Sequence, residues 1–132
     1  MENKTITVSR TSVTVLRMLV SLIFIVASLN HLLNVDKTIA KMDQARFGAL
    51  GHLLGPPEIS VMVSGVVMFV FGIAFFAGFK TRLSAIVLIC VLVPITLTVQ
   101  VGQMATIGPL FKNIAILGGL LFFVLNPKIL KN

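Results

Sequence analysis

With one cysteine the chain cannot close an intramolecular disulfide or build any cysteine-based metal motif. Two histidines and four carboxylates add little, because no two ligand-type residues stand at i,i+3 or i,i+4 within any apolar stretch. No metal site is expected. His31 and His52 fall on the same side of the expected spans, which excludes a haem held between histidines across them. No glycine-rich loop follows a strand, so there is no dinucleotide fold. Charge is scarce as well, at 11% of residues against 57% hydrophobic, with a mean hydropathy of +1.05. Too little polar surface remains to coat a soluble domain of 132 residues. The sequence is that of an integral membrane protein.

What is present is apolar sequence in long blocks. Residues 13–33, 59–79, 83–104 and 110–126 form four such stretches, and a helix needs about 20 apolar residues to cross a hydrocarbon core of about 30 Å. Continuous blocks point to helices, because a barrel strand alternates apolar and polar residues. The expected fold is an all-α membrane four-helix bundle, one domain over residues 1–132, without internal repeats. Gly55-Pro56-Pro57, the Gly78–Arg82 turn, Gly108-Pro109 and Asn126-Pro127 punctuate the spans. Pro94 lies inside the third and deprives the Cys90 carbonyl of its helical donor, which predicts a kink there. Cys90 itself reads as a packing residue.

Basic residues set the orientation. Lys4, Arg10, Arg17, Lys80, Arg82, Lys128 and Lys131 collect on one side, and Lys37, Lys41, Arg46 and Lys112 on the other. The richer side should be cytoplasmic, with both termini there and the chain a multi-pass protein of the inner membrane. A net charge of +7 needs no nucleic acid, since anionic headgroups are the nearer partner. The basic start followed by an apolar run also fits a signal peptide, but no good A-x-A site follows it. Between the first two spans, residues 34–58 mix Ile39, Met42, Phe47 and Leu50 with Lys37, Lys41, Asp43 and Arg46. That mixture fits either a helix at the outer interface or an ordinary connection.

In the first span Arg17, Ser21, Phe24, Ser28 and His31 share one narrow face, which must look into the bundle because lipid cannot bond its polar groups. Thr96, Gln100 and Gln103 share a face at the outer end of the third. The topology brings Asn30, His31, Glu58, Gln100, Gln103, Lys112 and Asn113 to one level as a candidate binding cluster. Against that stands packing: Ser28, Ser64, Gly72, Ala115 and Gly119 are the small residues that let membrane helices approach.

The arrangement Arg17-x3-Ser21-x6-Ser28-x2-His31, the segment GIAFFAGFKTRLSAIVL from Gly72, and GPLFKNIAILGGLLFF from Gly108 resemble the DoxX family of small bacterial membrane proteins. The resemblance implies a compact bundle in a bacterial cell membrane, with Arg17, Gly72, Gly78, Arg82, Lys112 and Asn113 matching the family motif. It also implies an association with oxidoreductase systems. Many members carry a glutamate in the second helix where this chain has Met68. An activity needing that carboxylate is not expected here. The resemblance therefore implies an accessory or docking subunit of a redox-related membrane system, in a larger membrane complex or a homo-oligomer. The alternative is a quinone- or lipid-binding oxidoreductase subunit, with His31, Gln100 and Lys112 donating to a ring carbonyl. No cofactor beyond such a quinone is implied, and transport is weaker still for want of a mid-membrane charge.

Overall fold

The computed structural model describes residues 6–44, 56–97 and 107–127. Five helices make up nearly all of them, and no strand occurs among the described residues. Helix α1 spans Arg10–Leu33, α2 Val35–Gln44, α3 Pro57–Ala77, α4 Thr81–Ile95 and α5 Ile107–Leu125. Of these, α1, α3 and α5 are long and apolar enough to cross a membrane, whereas α4 is apolar but has 15 residues. The expected third span, 83–104, is thus described as helix only to Ile95, followed by a wider π-type turn at Thr96 and Leu97. Residues 98–106 lie outside the described residues. Pro94 accounts for the loosening, because it has no N–H to return to Cys90.

Local chemistry places the other ends. Ser9 starts α1 by accepting the Ser12 N–H on its hydroxyl at 3.1 Å, which carries the helix three residues beyond the apolar run. Gly78 stops α3 in the left-handed conformation, φ 82°, with the Phe79 N–H returning to the Ala74 carbonyl at 2.9 Å. Phe79, expected inside the second span, therefore lies beyond its helix. Helix α5 is described from Ile107, so Gly108-Pro109 falls within it rather than before it. Between the spans, Val35–Gln44 is helical, and the mixed pattern of residues 34–58 is to that extent a helix.

The order of packing runs from α1 to α3, from α3 to α4, from α4 to α5, and from α5 back to α1. Helices α1 and α3 are antiparallel: a Cβ at Gly65 would meet Leu32 and His31, one at Gly72 would meet Ile25 and Phe24, and one at Gly78 would meet Arg17. Between them and α4 and α5 lies a core of Phe24, Met68, Phe75, Ala85, Leu88, Leu120 and Phe123. Phe75 and Phe123 meet edge to face, ring centres 5.0 Å apart, tying α3 to α5. Outward faces are equally apolar: Leu19, Val26, Val63, Val66, Val70 and Leu121 are all exposed. That pattern suits lipid contact, and it leaves the helices to associate by close packing rather than by escape from water. Cys90, expected in the packing, is exposed.

The glycines divide by environment. Gly72 is buried with the α1 backbone 3.6 Å from its Cβ position, Gly119 would meet Val20 at 3.0 Å, and Gly118 faces open space. Gly72→Leu is expected to destabilise the fold by about 1–3 kcal/mol through overpacking, Gly119→Leu to act in the same direction, and Gly118→Leu to leave it nearly unchanged. Thermal unfolding of the three variants in one detergent checks the order; equal midpoints for Gly72→Leu and Gly118→Leu would contradict the α1–α3 contact.

Candidate functional site

The polar face of α1 does turn inward. Ser21 and Ser28 have no exposed surface, Phe24 is buried, and Arg17 and His31 are half-buried at its two ends. The serine hydroxyls, however, are already used. Ser21 donates to the Met18 carbonyl at 2.8 Å and Ser28 to the Ile25 carbonyl at 2.7 Å. On α3 Ser64 donates to Val61 at 2.9 Å, and on α4 Thr96 donates to Leu92 at 2.8 Å. Each group solves its own desolvation locally, at the carbonyl three or four residues back. What remains is small size, which lets the neighbouring helix come close.

Two cross-helix polar contacts stand at the end of the helices where α1 finishes and α3 begins. His31 on α1 meets Ser64 on α3, Nδ1 to Oγ at 3.3 Å. The Ser64 hydroxyl also donates to the Val61 carbonyl, so it serves both its own helix and the histidine. Ser60, one turn before Ser64, has a buried Oγ with no hydrogen-bond partner among the described residues. The second contact joins α4 and α5: buried Asn113 donates from Nδ2 to the Thr96 Oγ at 2.9 Å. Thr96 thereby accepts from one helix while donating within its own.

The expected cluster is assembled only in part. His31 and Asn113 are held between helices, but each in its own pair. Asn30 is exposed and accepts from Asn34 Nδ2 at 3.3 Å on the same helix end. Glu58 and Lys112 are exposed, and Gln100 and Gln103 lie outside the described residues. Among the family-motif residues, Arg17 lies against Gly78, Gly72 against α1, and Arg82 is exposed at the start of α4. Met68 is buried in the core, so a thioether fills the space where the family resemblance places a carboxylate. Among the described residues no group of three or more metal-ligand side chains occurs.

Beside the Asn113–Thr96 pair a groove of about 220 Å³ opens between α4 and α5, with Leu92, Val93, Leu110, Ile114 and Leu117 on its walls. Sequence reading placed Asn113 and Thr96 at one end of the helices but did not pair them, since pairing depends on which helices become neighbours. Ser64 is expected only as a small packing residue and Ser60 is not singled out; their spacing of four, which puts both on one face of α3, is the available signal, and Ser64 is the one that meets His31.

An inward polar face sealed by its own hydroxyls, outward faces of bare hydrocarbon and three helices of spanning length define an all-helical membrane protein. The DoxX family model matches residues 12–101, most of the chain, and the protein belongs to that family. Lys112 and Asn113 lie beyond the matched segment. No curated protein and no solved structure matches the chain.

The Asn113–Thr96 contact offers a direct measurement. A double-mutant cycle with Asn113→Leu and Thr96→Val is expected to give a coupling of about 0.6 kcal/mol, the typical worth of a hydrogen bond between membrane helices. A coupling of zero in thermal unfolding would show that the two side chains do not interact in the bilayer.

Proposed function

We propose that the protein is a single-domain four-helix bundle of the bacterial inner membrane, both termini cytoplasmic, and a non-catalytic accessory subunit that docks onto a redox-related membrane assembly. The observation that supports the docking role is the use of the interior polar groups. Ser21, Ser28, Ser64 and Thr96 each donate to a carbonyl of their own helix, leaving packing surfaces rather than an acid, base and nucleophile set. Small interior residues make a tight bundle, and the exposed apolar faces are the surfaces on which lipid, a second copy or another membrane protein would sit. The redox association follows from family membership alone. For the orientation, the support is the bias of basic residues towards the side of both termini.

The α4–α5 groove favours a second reading, in which the chain holds a quinone or another lipid-soluble ligand. Its walls are apolar, as the tail of such a ligand requires, and the Asn113–Thr96 pair lies at its edge. Asn113 and Lys112, with Asn30, His31, Glu58, Gln100 and Gln103, are the residues we assign to that end of the bundle.

Native mass spectrometry of the chain taken from its own membrane in mild detergent separates the two. A stoichiometric protein partner is the expected result. A lone chain carrying a quinone, lost on Asn113→Leu, would replace the docking role with the binding role. A lone chain without a ligand would defeat both.

A further inference from the structure

At the opposite end of the helices, Arg17 is a half-buried cation with no counterion among the described residues. Its guanidinium lies over Gly78, with the carbon and Nη1 each 3.0 Å from where a Cβ would stand. Nε is buried and has no hydrogen-bond partner among the described residues. The α3 carbonyls of Ala74 and Phe75 are taken by the Gly78 and Phe79 N–H groups. Two residues and four residues along from Gly78 come Lys80 and Arg82, both exposed. The described carboxylates, Asp36, Asp43 and Glu58, are on α2 and at the start of α3, the other end of the helices. Arg17, Lys80 and Arg82 therefore form a cationic patch with no described carboxylate beside it.

We propose that this patch is a binding site for the phosphate of an anionic phospholipid headgroup. The planar guanidinium offers paired donors to phosphate oxygens, and its half-buried position beside Gly78 sets it at the edge of the bundle. Lys80 and Arg82 add charge from the α3–α4 turn. The Lys80 ammonium sits 5.7 Å from the centre of the Phe79 ring, which is 65% exposed. An exposed ring beside cations at the edge of three apolar helices suits a ligand that is phosphate at one end and hydrocarbon at the other, which favours a lipid over free phosphate. The inference stands on this end of the molecule and holds whichever reading of the opposite end is correct.

The full chain in a neutral detergent is tested by native mass spectrometry and thermal unfolding with phosphatidylglycerol, phosphatidylcholine or inorganic phosphate. Phosphatidylglycerol is expected to stay bound and raise the unfolding midpoint, the other two to do neither. Each cation removed is expected to weaken phosphatidylglycerol retention by about fivefold, in Arg17→Gln and in the Lys80→Gln, Arg82→Gln double variant. The double variant alters exposed side chains only, so it reads out lipid binding even if Arg17→Gln disturbs the Gly78 contact. Wild-type retention by the double variant, equal retention of phosphatidylcholine, or an equal midpoint shift with inorganic phosphate would each overturn the proposal.

Discussion

The close antiparallel contact of α1 with α3 is the constraint on which the other parts depend. Gly65 and Gly72 of α3, and Gly78 just past its end, stand where a Cβ would press on Leu32, Ile25 and Arg17. In hydrocarbon, helices gain little by hiding leucine from leucine, so association rests on how near the backbones come and how many atoms then touch. Ser21 and Ser28 serve the same end from the α1 side, being small and fully buried. Once α1 and α3 are locked, the three-residue connection from Gly78 to Lys80 turns α4 back along α3, and α5 closes against α4 and α1.

The same constraint explains why the polar seam was legible in the sequence and its use was not. A period of three and four identifies the face of α1 that lipid cannot accept, and the structure buries that face. Periodicity does not tell whether a hydroxyl bonds across to a neighbour or back to its own backbone. Serine in a helix reaches the carbonyl three residues earlier, as Ser21 and Ser28 do, and such a group specifies proximity without specifying a ligand. His31 and Asn113 have side chains long enough to hydrogen-bond to a residue on the next helix, and both stand in the expected cluster. Their partners, Ser64 and Thr96, follow from the neighbour relations of the helices, which a single chain does not display.

Helix ends show a similar division. The apolar blocks locate α1 and α3 to within a few residues, because polar or helix-ending residues bound them: Ser9 and Asn34 for α1, Pro56 and the left-handed Gly78 for α3. Prolines were harder to place. Pro109 looks like a boundary and sits inside α5 as described, while Pro94 looks like a kink inside a span and lies next to the last residue of α4, where its missing N–H leaves the Cys90 carbonyl without a helical donor.

Charge distribution carries the comparison of the two ends further. At the His31 end, polar groups are neutral pairs shared between helices, and the described carboxylates Asp36, Asp43 and Glu58 lie there with Lys37, Lys41 and Lys112. At the Arg17 end the described charged groups are all cations, with one of them set against the bundle. A half-buried guanidinium is tolerated only if something outside the chain balances it or water reaches its terminal nitrogens. Burial of Nε leaves the terminal nitrogens as the part that can face outward, towards the level where headgroups would be. Met68 fits this asymmetry. With a thioether in the core in place of the carboxylate that the family resemblance leads one to expect, α3 carries no charge between Glu58 and its C-terminus, and no acid among the described residues draws Arg17 inward.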